Sequence, residues 1–235
     1  MKVENNPKQR IPFELFTGIL SLLLYAVPAH SQWAIEAGAS YNIQDGSFRA
    51  PCGCIFHGGK GAGFIAAISS DIFSIRGFTI GVQSGFDFKA FTAYEVPSDP
   101  SNSDQINIQM RYFTFGPYVR YYVPGSGLFF QVTPEAEYLV SNSFQHISHP
   151  SPVPAEDVDS SMGDLRAMRY SARVSAGYKF DLFGLEIAPM FNVDLPLNNI
   201  RPDVPLDPFT DPGLHGASGW HITSIDLSLA VFFKP

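Results

Sequence analysis

From Trp33 onward the chain repeats one pattern, in which apolar and polar residues alternate singly over segments of about 10 to 16 residues bounded by Gly, Pro, Asn, Asp or Ser. Consecutive side chains of a strand point to opposite sides, so each segment folds as a strand with one greasy and one polar face. In the clearest of them Phe78, Ile80, Val82, Phe86, Phe88 and Ala90 share one face, interrupted by Ser84. Thr79, Gln83, Asp87 and Lys89, with Gly81 and Gly85, share the other.

Four more segments follow the same rule: Leu128 to Ser141, Met168 to Lys179, Glu186 to Leu195 and Ser224 to Phe233. Three less regular ones, Trp33 to Ile43, Gly61 to Phe73 and Ile106 to Val123, complete a set of eight. In the last of these the apolar set changes parity, from Ile106, Ile108 and Met110 to Phe113, Phe115, Val119 and Tyr121. A one-residue slip would turn every side chain over, so a β-bulge near Tyr112 is expected to restore the face. Short connections at Ser74 to Arg76, Pro124 to Gly127 and Asp181 to Gly184 alternate with long ones near 45–60, 95–104, 143–163 and 196–218. Three tight turns and four loops are what an up-and-down barrel of eight strands with both termini at one end requires.

Composition agrees: 16% charged residues, 14% aromatics, 20 Gly and 19 Pro favour an all-β chain. A formal net charge of -7 provides no basic surface for a phosphate backbone, so nucleic acid is not an expected partner. Lys2, Lys8 and Arg10 precede an apolar run from Ile11 to Val27 and then the small residues Ala29 and Ser31. This reads as a signal peptide over 1–31, with the barrel domain over 32–235. No later stretch reaches the roughly 20 apolar residues of a membrane-crossing helix, so insertion would be as a barrel.

Alternation alone does not say which face is outside. A soluble lipocalin-like binding barrel would place the apolar face inward. Aromatics toward strand ends of the apolar face, Trp33, Tyr41, Tyr138, Tyr170, Tyr178 and Phe233, instead suit the interfacial girdles of a membrane barrel. The chain closes on an apolar strand with Val231, Phe232 and Phe233. With its leader, eight alternating strands, turn and loop asymmetry and aromatic final strand, the chain resembles the small bacterial outer-membrane β-barrel family of the OmpX and OmpA transmembrane-domain type. The resemblance implies an all-β, eight-stranded antiparallel up-and-down transmembrane β-barrel in the bacterial outer membrane.

An outward apolar face puts the polar set in the lumen: Asp87, Lys89, Arg120, Glu135, Glu137, Arg169, Arg173, Glu186, Asp194 and Asp226. Charges withdrawn from water must be paired or hydrated, so an ion-pair network filling the barrel is expected. The alternative is a narrow ion channel opened when the pairs exchange partners. Cys52 and Cys54 flank one Gly in the first loop, near His57 and the run Gly58, Gly59, Gly61 and Gly63. A disulfide, free thiols and a three-ligand metal site are all compatible with that spacing, although the metal reading lacks a second cysteine pair. His146, His149, Glu156, Asp157 and Asp159 in the third loop, and His215 and His221 near Asp203, Asp207 and Asp211 in the fourth, set no nucleophile beside a base. The expected function is therefore a structural or surface-interaction barrel with long extracellular loops, not an enzyme, with no cofactor and no bound metal. Outer-membrane lipid is its expected surround, the loops are available to a surface protein or ligand, and the barrel is expected to be a monomer. A lipid-modifying outer-membrane enzyme is the catalytic alternative.

Overall fold

The computed structural model describes residues 32–49, 55–95, 105–147, 165–200 and 221–233. The leader over 1–31, Cys52 and Cys54, and most of the loop histidines and acids lie outside these residues.

Nine strands form: β1 (Trp33–Arg49), β2 (Ile55–Ile75), β3 (Phe78–Glu95), β4 (Gln105–Tyr122), β5 (Leu128–Ile147), β6 (Met168–Tyr178), β7 (Phe180–Leu182), β8 (Leu185–Pro196) and β9 (His221–Phe233). The three-residue β7 continues the line of β6 past Lys179, and both pair with β8, so the staves number eight. Every stave pairs antiparallel with the next in sequence, and β1 pairs with β9 from Trp33↔Phe233 to Asp45↔His221. The ring is closed, which leaves no free sheet edge.

Two of the tight turns need a left-handed backbone. Arg76 and Gly77 (φ 48° and 85°) join β2 to β3, and Phe183 and Gly184 (φ 51° and 83°) join β7 to β8. Two consecutive positive φ values match the right-handed twist of the flanking strands, which is why two residues suffice. These turns, the 123–127 connection and the ends of β1 and β9 lie at one rim, called here the near rim.

The first loop is shorter than the sequence suggests. β1 runs to Arg49 and β2 begins at Ile55, so the glycine run from Gly58 to Gly63 is strand rather than loop. Gly63 shows why small residues sit there: a Cβ would come within 2.0 Å of the Phe88 carbonyl and 2.5 Å of Ser40 Oγ.

The expected bulge near Tyr112 of β4 is also corrected. Burial in β4 alternates without interruption from Ile106 to Arg120. The register shift falls instead on β5, where Arg111 pairs with Ser141 and Tyr112 with Leu139, leaving Val140 as the extra residue. Ile106, Ile108 and Met110 therefore face the lumen, each no more than 1% exposed. The parity change in the sequence marks a change in the lumen's contents, not a change of face.

The interior consequently has three tiers. At the near rim Ala34, Phe129, Ala188, Met190, Ala230 and Phe232 form an apolar floor backed by Tyr122. At the far end Phe56, Phe91, Ile106, Ile108, Met110 and Phe144, with neighbours that include Tyr112 and Ile222, form an apolar lid. Between them lies a chamber lined mainly by polar and charged side chains, with Ile65 and Ala67 of β2 beside them. Eight-stranded barrels are just wide enough for side chains to fill, so stacking by size and polarity completes the interior.

Candidate functional site

The chamber's charged residues come from six strands. Asp87 and Lys89 come from β3, Glu135 and Glu137 from β5, Arg169 and Arg173 from β6, Asp194 from β8, Asp226 from β9 and Glu36 from β1. All of them are buried, Lys89, Glu137, Arg169 and Asp194 completely.

Three cations organise the carboxylates. Lys89 Nζ lies 2.5 Å from Asp87 Oδ2, and donates to Asp194 Oδ2 and Ser224 Oγ, each at 2.9 Å. These three contacts use all the donors of an ammonium group. Arg169 donates to Glu137 Oε2 at 2.9 Å, Asp194 Oδ2 at 3.2 Å and the Ile222 carbonyl at 2.6 Å. Its Cα partner across the β5–β6 ladder is Glu137, so the ion pair is a direct cross-strand contact. Arg173 reaches diagonally to Glu135 Oε2 at 3.2 Å and stands 3.9 Å from Asp87 Oδ2.

Asp87, Glu137 and Asp194 each bring a carboxylate oxygen within 4.8 Å of the others, a spacing compatible with a metal ion. Lys89 and Arg169 already supply two positive charges among those oxygens, so the triad is in large part compensated by the chain itself.

Two residues expected in the network stand apart from it. Arg120 lies toward the near rim, donating to Gln131 Oε1 at 2.9 Å and standing 3.4 Å from Asp71 Oδ1. Its guanidinium sits 4.8 to 5.3 Å from the ring centres of Tyr118, Phe129 and Phe232, where cation–π attraction offsets its removal from water. Tyr118 donates its hydroxyl hydrogen to Asp71, tying β4 to β2. Glu186 lies at the rim itself, paired with Lys179 at 2.6 Å and accepting from Gln32 Nε2. Lys179 in turn stands 4.5 Å from the Phe232 ring.

Glu36, Asp71, Lys179 and Asn192 are members that the sequence reading did not single out. Glu36 accepts from Ser228 Oγ at 2.6 Å and Asn192 Nδ2 at 3.1 Å. The inward parity of β1 carried the signal, but Ala37, Gly38 and Ala39 beside it give little contrast between faces.

Chemically, the chamber is a charge store. Its serine Ser224 accepts from Lys89 Nζ, whose other two contacts are carboxylates. A groove of about 530 Å³ lies near the far ends of β2 to β5. Ala62, Ala90, Thr92, Asn107, Gln109 and Ser143 line it, and they offer hydrogen bonds but no titrating pair.

No family model and no curated protein matches the chain. Among solved structures it is similar to Neisserial surface protein A, with 13% identity over 86% of this chain and 97% of the other, at a TM-score of 0.39. It is also similar to Ail, the attachment invasion locus protein of Yersinia pestis, with 9% identity over 87% and 99% of the two chains, at a TM-score of 0.40. A further structure of Ail, in complex with the heparin analogue sucrose octasulfate, has a TM-score of 0.39 at 9% identity. The hydrogen-bonded closure of eight staves is what identifies the architecture: the chain is an all-β, eight-stranded antiparallel up-and-down barrel, the fold implied by its sequence resemblance to the OmpX and OmpA transmembrane-domain type.

Proposed function

We propose that the chain is an integral outer-membrane β-barrel with a structural or surface-interaction role, neither an open pore nor an enzyme. In this reading residues 1–31 are an export signal, residues 32–235 form the barrel, and the near rim is periplasmic. The observation that carries it is an inversion of the usual arrangement of a soluble protein. Large apolar side chains face outward around the ring, among them Ile35, Phe64, Phe86, Phe115, Val132 and Leu229, each 47 to 53% exposed. The chamber's charged residues are inside, and the outward Lys60 and Arg111 lie toward the far ends of their strands. Water would not tolerate an apolar surface that encircles the molecule, whereas lipid requires it.

Aromatic residues sit where such a band would meet the headgroups. At the near rim Phe78 packs on Tyr121 with ring centres 4.7 Å apart, and Tyr178 on Phe180 at 6.3 Å. The far ends of β2 to β5 carry Lys60, Thr92, Asn107, Gln109 and Ser143 on the same outward parity, marking the upper limit of the band. The loops beyond it are the parts left to meet a surface protein or ligand.

The purified protein should require detergent and migrate differently on gels before and after boiling. A monomer that stays soluble without detergent and shows one mobility would defeat the membrane assignment. An apolar tier closes the chamber at each end, so the refolded barrel should be silent in a planar bilayer. Reproducible single-channel steps from the unmodified protein would instead establish the narrow-channel alternative, with the ion pairs as its gate.

A further inference from the structure

The chamber's charges do not balance. Among the described residues it holds six carboxylates, Glu36, Asp87, Glu135, Glu137, Asp194 and Asp226, against Lys89, Arg169 and Arg173. Uncompensated charge in a water-excluded space is costly, so something must offset the excess. The contacts locate it. Lys89, Arg169 and Arg173 are committed to Asp87, Glu135, Glu137 and Asp194. Among the described residues no lysine or arginine nitrogen lies within 4 Å of Asp226, which is 2% exposed, and its Oδ1 has no hydrogen-bond partner.

Asp226 is flanked on one rung by two further orphaned oxygens. Its Cα partners are Ser40 on β1 and Asn192 on β8, and Ser40 Oγ and Asn192 Oδ1 are buried without a partner. Asn192 is oriented for this role, because its Nδ2 is held by Glu36 Oε1 at 3.1 Å and Ser228 Oγ at 3.0 Å, leaving the carbonyl end free. Beyond Ser40, its partner Gly63 sends no side chain into the space.

We infer that Asp226, Asn192 and Ser40 form a binding site for a hard cation, an alkali or alkaline-earth ion, held inside the sealed chamber. A carboxylate, an amide carbonyl and a hydroxyl are the donors such ions prefer, with no nitrogen or sulfur among them. Neighbouring strands stand about 4.8 Å apart, close to twice a calcium–oxygen distance of about 2.4 Å, so Asp226 can share an ion with either neighbour; Ser40 and Asn192, two strands apart, reach the same ion by converging toward the lumen axis. The curvature of a closed eight-strand ring also turns side chains of one rung toward a common centre. The ion is structural, offsets part of the charge that the chain's own cations leave over, and enters when the barrel closes.

The test uses the full barrel refolded in detergent in choline chloride, or in chlorides of sodium, potassium, magnesium or calcium at equal ionic strength. One of these ions should raise the unfolding temperature by about 5 °C or more once well above its dissociation constant, and about one such ion per chain should remain after gel filtration in choline. Which salt acts separates the alkali from the alkaline-earth case. Asp226→Asn should lose both the shift and the retained ion. A wild-type barrel that responds to none of the ions, or an Asp226→Asn barrel that responds as wild type does, overturns the site. Should Asp226→Asn not refold, Ser40→Ala keeps the carboxylate and should need at least about ten times more ion for the same shift; an unchanged requirement overturns the three-ligand site equally.

Discussion

Arg169→Met should destabilise the barrel by about 3–5 kcal/mol, the cost typical of removing one partner from a buried ion pair. The side chain is fully buried and donates to Glu137, Asp194 and the Ile222 carbonyl, joining β6 to β5, β8 and β9. Its loss orphans the Glu137 carboxylate and widens an imbalance in which acids already outnumber bases. Removing an acid works in the opposite sense, so Asp194→Asn should cost less than half as much, even though Asp194 contacts both Lys89 and Arg169. Adding Glu137→Gln to Arg169→Met should restore more than half of the loss, because the orphaned charge goes with it. Urea unfolding in detergent micelles, completed as a double-mutant cycle, reads all three values. Equal costs for Arg169→Met and Asp194→Asn would mean that hydrogen-bond geometry, not charge balance, dominates the chamber.

That asymmetry depends on details that local pattern does not carry. The strand from Phe78 to Ala90 was legible because its two faces differ sharply at every position, and the count of turns and loops fixed the ring at eight. The change of parity between Met110 and Phe113 reads in the sequence as a backbone defect. A strand that runs past the top of an apolar band turns polar outside and, where its inner face belongs to a lid, apolar inside, and nothing within β4 tells this from a bulge. The answer lies in Phe56, Phe91, Phe144 and Ile222, which come from four other strands to meet Ile106, Ile108 and Met110. Inward charges such as Arg169 and Glu137 follow from parity alone. Which cation holds which acid follows from register, and register across β5 depends on the single extra residue Val140. The departure of Arg120 from the network has a similar origin, since its aromatic surround of Tyr118, Phe129 and Phe232 draws on three strands.

The assignment of lipid to the outer face leads to a second large effect, placed on the side of the wall away from the charges. Val132 points outward at 49% exposure, between Val119 of β4 and Val174 of β6, four residues above the near-rim end of β5 at Leu128. At about 3.3 Å per residue and a tilt of about 40°, that places it roughly 10 Å up a band about 25 Å tall, close to the bilayer midplane. Val132→Arg should therefore cost about 2–4 kcal/mol when stability is measured in lipid bilayers. The same substitution toward the far end of the band, at Tyr138, should cost no more than about 1 kcal/mol, because a long side chain near the interface reaches water. Both positions are outward on one strand, Val132 between Val119 and Val174 and Tyr138 between Phe113 and Met168, so each exchanges apolar contacts for a cation and depth separates them. In water an exposed valine exchanged for arginine stays within about 0.5 kcal/mol. A cost at Val132 that exceeds the cost at Tyr138 by tenfold or more in the unfolding constant therefore measures the bilayer itself. Two equal, negligible costs would mean that water, not lipid, bathes the outer face, and the apolar band would then need a protein partner to cover it.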